Sequence, residues 1–234
     1  MKKSISPQRP SNLSPYALAC LTALAQAKLA SYISLGGALG LFHYLPYRLT
    51  NDVDTWWAEA VTQEQRHAVV QALQAALSAF GDTRMRSWGD VDSIELNQQG
   101  KTVFSFQIAR RSAHLEEPVS AGWIDVPLDS IADLVASKMV ALVERGAPRD
   151  FLDIYTLCQA GLLSIEECWN LWRQRQSLVG SDLEFGRAAL AIETHLERIA
   201  LHRPLEKIED ISQREQAHEV RAWFRDEFLR GVNE

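Results

Sequence analysis

The periodicity of the chain changes once, near residue 128, and this switch constrains the fold more than any single motif. Upstream, short segments of alternating apolar and polar residues are mixed with helical ones. Downstream, apolar residues recur only at helical spacing. Ser14-Pro15 has the form of a helix start, serine capping and proline at the first helical position, and predicts a helix to about Ala30. "SYISLGG" reads as a strand stopped by glycine, "ALGLFHYL" as a short helix ended by Pro46, and "NDVDTWW" as a second strand. Thr62 to Gln65 has capping-box spacing before a helix to Phe80, with Gly81 as its stop. "DSIELNQ" and "TVFSFQIA" alternate on either side of Gly100 and predict a hairpin, and "GWIDVPL" adds one more short strand.

Beyond residue 128 an amphipathic helix is expected from Ser130 to Arg145. Gly146-Ala147-Pro148 breaks it, a second helix starts near Arg149, and Ser164 opens another capping box. The expected class is α+β: a small mixed-sheet core over residues 1–128, then an all-helical domain over 129–234, with residues 1–12 frayed.

Composition narrows the function. The chain has 234 residues, 47% apolar, enough for a sizeable core, and a net charge of −6 that excludes a uniformly basic, nucleic-acid-coating surface. Cys20, Cys158 and Cys168 are odd in number and lack CxxC spacing, which argues against a disulfide framework or zinc site and fits a reducing cytoplasm. The first residues carry lysines without an apolar run, unlike a signal peptide. The apolar stretch from Tyr16 to Phe42 is too interrupted, by Gln26, Lys28 and glycines, to span a membrane.

Asp52 and Asp54 are two apart on a predicted strand, so they share a face roughly 7 Å apart at Cα. Two carboxylates so placed suit a hard cation with oxygen ligands, and Mg²⁺ with substrate phosphates fits best. A two-metal phosphoryl-transfer site needs this arrangement, whereas a lone DxD is more often an exposed polar edge. Gly36-Gly37, between strand and helix, lets backbone approach a ligand, and the helix start behind it favours phosphate. Farther on, Lys138 and Arg145 share a helix face, and Asp150 and Asp153 share a face of the next helix. Long basic side chains there suit a triphosphate. A helical hairpin carrying a salt bridge such as Arg149 to Asp153 is the plainer alternative.

Together these residues resemble the nucleotidyltransferase superfamily, whose pattern is GG or GS, a spacer, then DxD. The closer resemblance is to the AbiEii/AbiGii toxin family of nucleotidyltransferase-like proteins. It rests on Gly36-Gly37-Ala38-Leu39, Tyr47-Arg48, Thr50 and Asp52-Val53-Asp54, then on Asp133-Leu134, Lys138, Ala141, Arg145, Arg149-Asp150 and Asp153. The threonine that follows the glycines in that family is missing, and Tyr47 replaces its usual histidine.

The resemblance implies an Mg²⁺-dependent nucleotidyltransferase with its active site in the cleft between the two parts. Asp52 and Asp54 would hold metal and Lys138 would meet phosphates. Asp150 or Asp153 would be a further catalytic acid, and Gly36, Gly37, Arg48, Thr50 and Arg145 would complete the nucleotide site. It also implies a toxin–antitoxin setting, with an NTP as donor, RNA such as the 3′ end of tRNA as acceptor, and a cognate antitoxin protein as partner. Many nucleotidyltransferases carry a third carboxylate on a later strand. Here that strand offers Ser105 and Gln107, so Asp125 or an acid of the second signature is the expected substitute. A degenerate fold that binds nucleotide or protein without chemistry is the alternative.

Other features carry less. The six histidines show no metal spacing, and His43 is expected on a helix surface. Trp169 and Trp172 have core spacing, while Trp56 or Trp57 is expected to line the site. Arg84, Arg86, Arg110 and Arg111 are local basic spots that could meet an RNA backbone.

Overall fold

The computed structural model describes residues 6–230 and divides into two compact units, one up to Leu134 and one from Val135 onward, with the boundary inside a helix. In the first unit the helix α1 (Pro15–Gln26) is capped by the Ser14 hydroxyl, as the sequence predicts. It ends short of Ala30 because Lys28 turns left-handed at φ 57° and a 3₁₀ turn, Ala30–Tyr32, follows. The strand β1 is only Ile33–Leu35, and α2 (Gly37–Phe42) starts directly behind it. Then come β2 (Asp52–Trp57) and α3 (Gln63–Ser78), the latter opened by the full Thr62/Gln65 capping box.

The strands β3 (Asp82–Trp88), β4 (Val91–Gln98), β5 (Lys101–Arg110), β6 (Val119–Ser120) and β7 (Pro127–Leu128) complete a mixed sheet of seven strands among the described residues. Its order is β3-β4-β5-β2-β1-β7-β6. The β4–β5 hairpin closes through Gln99 and Gly100, both at positive φ, where glycine and a polar residue are tolerated. The strand β3 has no alternating signal because it is the exposed sheet edge, where charged residues such as Arg84 and Arg86 discourage pairing with other chains. "GWIDVPL" is strand only at Pro127-Leu128.

Alternation in β2, β4 and β5 sorts the faces. Val53, Ile94, Leu96, Phe104, Phe106 and Ile108 are fully or almost fully buried, and α3 contacts β3 and β4. The first five residues lie outside the described part. Fraying was expected to reach residue 12, but Gln8 N–H donates to His43 O at 2.7 Å and Asn12 Nδ2 donates to Arg48 O at 2.6 Å. These bonds tie the segment to the loop that follows α2.

The second unit holds most of α4 (Ile131–Glu144), then α5 (Pro148–Gln159), α6 (Ile165–Leu178), α7 (Phe185–His202) and α8 (Ile211–Trp223). Ser164 makes the predicted capping box with Glu167. Trp169 and Trp172 are core residues, packed edge to face at 5.6 Å, and Trp169 also meets Phe185 and Phe228. No described helix is long and apolar enough to cross a membrane.

Candidate active site

The strand β2 presents Asp52, Asp54 and Trp56 on the half-exposed side of the sheet, while Val53, Thr55 and Trp57 are buried. Register fixes their neighbours. In the parallel β2–β5 pair, Asp52 lies opposite Ser105 and Asp54 opposite Gln107. Directly paired residues point to one face, so the two acids are bordered by a hydroxyl and an amide. One strand farther, Glu95 lies opposite Ser105 and Ser93 opposite Gln107.

Glu95 is therefore a carboxylate on the metal-candidate face that motif reading missed. Its signal was in the alternation of "SIEL", which put Glu95 on the polar side of its strand. It pairs with Arg86 Nε at 3.2 Å. Asp125, expected as a substitute acid, lies exposed in the irregular turn before β7. Among the described residues, no three His, Cys, Asp or Glu side chains converge as a metal cluster.

The two glycines are explained by what stands over them. Gly36 N–H donates to Asp54 O at 2.8 Å, which holds the turn against β2. A Cβ on Gly36 would lie 2.4 Å from Trp56 Nε1. One on Gly37, at φ +56°, would lie 2.1 Å from Asp54 Oδ2. Glycine at both positions lets the backbone pass directly beneath the acidic strand. Gly40 has a parallel role: its missing side chain admits Leu134, the leucine of the Asp133-Leu134 pair.

Thr50 Oγ1 is a short-range hydrogen-bond partner of Asp52 Oδ1, so it orients that carboxylate. Arg48 stacks over Phe42 at 5.4 Å and Tyr47 at 5.9 Å, and its Nη1 donates to Leu49 O. His43 is not on a surface. It is 2% exposed, with Nδ1 bonded to Leu39 O at 2.9 Å, and burial pushes its pKa below the ordinary value.

Arg111, expected as an exposed basic spot, is engaged inside the fold. Its guanidinium lies over Trp56 at 5.4 Å, hydrogen-bonds Ser34 Oγ at 3.0 Å, and pairs with Asp129 and Asp133. Burial pushes the Asp129 carboxyl up, and Arg111 pulls it partly back. Asp133 also accepts N–H bonds from Leu115 and Glu116 and the Ser130 hydroxyl, which pins the loop after β5 to the start of α4.

The second signature forms its own cluster. Lys138 Nζ lies 2.7 Å from Asp153 Oδ2 and 3.5 Å from Asp150 Oδ1. Arg145 grips Asp150 with two bonds, Nε to Oδ2 at 2.9 Å and Nη2 to Oδ1 at 3.1 Å. Both aspartates are fully buried and Lys138 is 7% exposed, while Arg145 is exposed. The shared helix faces read from sequence thus become one buried ion cluster. Phe151 and Ile154 pack elsewhere in the core.

Comparison with known proteins now bears on this geometry. No curated protein matches the chain. A solved structure that resembles it is an antigenic nucleotidyltransferase-like protein from Paracoccidioides brasiliensis, 16% identical, with 91% of this chain and 95% of that one covered at a TM-score of 0.40. The model of a protein family described as "Nucleotidyl transferase AbiEii toxin, Type IV TA system" matches residues 19–229, nearly the whole chain. The chain therefore belongs to the AbiEii nucleotidyl transferase toxin family of type IV toxin–antitoxin systems.

Proposed function

We propose that this protein is an Mg²⁺-dependent nucleotidyltransferase, the toxin partner of an antitoxin protein. It would move a nucleotidyl group from an NTP to an RNA hydroxyl, with the 3′ end of tRNA as the acceptor and the cytoplasm as its place of action. The observation that carries this reading is the apposition of Gly37 and Asp54, where any side chain on the glycine would collide with the carboxylate. A surface DxD has no need of a bare backbone beneath it.

The donor set fits a hard cation. Asp52 and Asp54 offer oxygen ligands on one face, Ser105 and Gln107 add neutral oxygens, and substrate phosphates would complete the shell. Asp52 and Asp54 would hold Mg²⁺, which would supply charge neutralisation at the phosphates and acidify the attacking hydroxyl. The acceptor oxygen forms a bond to the α-phosphorus while the bond to the bridging oxygen of pyrophosphate breaks, and the hydroxyl proton leaves to solvent. Thr50 holds Asp52 in orientation, and the bare Gly36-Gly37 backbone leaves room for the triphosphate. Lys138 supplies positive charge to phosphates, and Arg48 and Arg145 complete the nucleotide contacts. Asp150 and Asp153 act by positioning Lys138 and Arg145, in keeping with their full burial.

A second reading is favoured by one observation, the neutral Ser105 and Gln107 opposite the acids: nucleotide binding without transfer. Incubation with each labelled NTP, Mg²⁺, total RNA and protein separates the two. Label is expected in RNA and absent with Asp52→Ala. Nucleotide bound without any labelled polymer supports the second reading. Inducible expression should arrest growth for wild type and not for Asp52→Ala at equal soluble level. Equal growth of both cultures removes the toxin activity in that host.

A further inference from the structure

Arg221, on α8, is 9% exposed, yet it forms no ion pair among the described residues. One of its five N–H donors reaches Arg203 O at 2.8 Å, and the other four have no partner among those residues. Arginine is rarely buried unless paired, because a desolvated cation is costly. Here the neighbours make the cost worse. Burial first, then the charges of Arg225 and Arg203, push the pKa of Arg221 below its ordinary value, and Glu206 alone opposes them.

Beside Arg221 opens a cavity of about 420 Å³, walled by α5, α7 and α8. Its arginines are Arg149, Arg203 and Arg221, and no acid among the described residues lines it, although the whole chain carries a net charge of −6. The rest of the wall is largely apolar, with Leu196, Ile199 and Val220 buried in it. Gln213 and Gln216 add two amides. None of the residues assigned above to nucleotidyl transfer lines this cavity.

Each part narrows the ligand. Guanidiniums are forked donors that match phosphate, and arginines on a wall with no described acid beside them suit an anion. An apolar wall suits a flat ring. Amides, which both donate and accept, suit a polar heterocycle rather than a hydrocarbon tail. The volume falls in the range of small-molecule sites. We propose that this cavity binds a nucleotide unit, with its phosphate on Arg203 and Arg221 and its base against the apolar wall. It is a site separate from Asp52 and Asp54 and independent of metal. The unit comes either from a free mononucleotide or from a single strand of RNA.

The test uses the full chain carrying Asp52→Asn and Asp54→Asn, in EDTA, so that metal-dependent binding does not contribute. Calorimetric titration compares AMP, adenosine and a short single-stranded oligoribonucleotide. The proposal expects AMP or the oligonucleotide to bind at least tenfold tighter than adenosine. AMP binding identifies a free nucleotide, and binding of the oligonucleotide alone identifies a strand. Arg203→Gln, at an exposed position, should weaken the binding at least tenfold with the circular dichroism spectrum unchanged. Ala217→Trp should fill the cavity and abolish binding even at low salt, which a diffuse basic surface would not do. No binding of either phosphate ligand overturns the proposal. So do equal affinities for AMP and adenosine, or wild-type affinity in both Arg203→Gln and Ala217→Trp. Loss of RNA labelling with this site intact would sink the transferase reading alone.

Discussion

The two acidic motifs obey opposite physics. Asp52 and Asp54 stand half-exposed on a strand, beside the neutral Ser105 and Gln107, with bare glycine backbone below. Asp150 and Asp153 are fully buried and locked to Lys138 and Arg145. The first pair is a site held ready for an added cation, at little cost to the fold. The second already has its counter-ions, and the helical unit depends on them. Identical residue types thus serve binding in one region and architecture in the other, according to burial and neighbours.

The largest effect on stability should come from Lys138→Ala. It removes the cation 2.7 Å from the buried Asp153 carboxylate, and losing one partner of a buried ion pair costs about 3–5 kcal/mol. Urea unfolding measures it, and a loss well under 1 kcal/mol would erase the contrast between the motifs. Lys138→Ala is for the same reason a poor probe of phosphate binding unless folding is confirmed first.

Gly37→Ala ranks next. A left-handed backbone costs a non-glycine residue about 1–2 kcal/mol, and the new methyl would also displace Asp54. Stability should fall by about that amount, with Mg²⁺-dependent nucleotide binding lost. Retention of wild-type binding by a folded Gly37→Ala protein would show that Asp54 tolerates displacement.

Gln107→Glu sharpens the contrast from the other side. A third carboxylate across from Asp54 should cost about 0.2–1 kcal/mol without metal, as cross-strand like charges do. Mg²⁺ should then raise the Tm more than it does for wild type. If Mg²⁺ leaves both melting curves unmoved, the face is not a metal site.

Asp52→Asn with Asp54→Asn should have the smallest effect on folding, within about 0.5 kcal/mol, since removing adjacent like charges relieves repulsion. Its effect on function should be complete: calorimetry with Mg²⁺ and NTP should detect no metal-dependent binding. Unchanged affinity would rule out the acid pair as the metal-holding group.

Much of this was written locally. Ser14, Thr62 and Ser164 announced three helix starts because caps act over three or four residues. Alternation in β4 and β5 gave the hairpin and its inward face. Edge strand β3 escaped because an exposed strand has no apolar alternation to detect. His43 was misplaced because its burial comes from distant residues: its ring stacks with Trp123 at 6.1 Å, and its carbonyl accepts from Gln8.

By itself, the sequence determined three capped helix starts, the β4–β5 hairpin, the shared face of Asp52 and Asp54, and the shared helix faces of Lys138 with Arg145 and of Asp150 with Asp153. The shared faces follow from backbone periods of 2.0 and 3.6 residues. Only the tertiary structure decided what faces what. It set Ser105 and Gln107 beside the acids, put Glu95 in the next row, and spent Arg111 on Asp129 and Asp133. It also left Arg221 largely covered and without an ion pair among the described residues. Strand register and the meeting of remote side chains depend on contacts between residues far apart in the chain, and no local period encodes them.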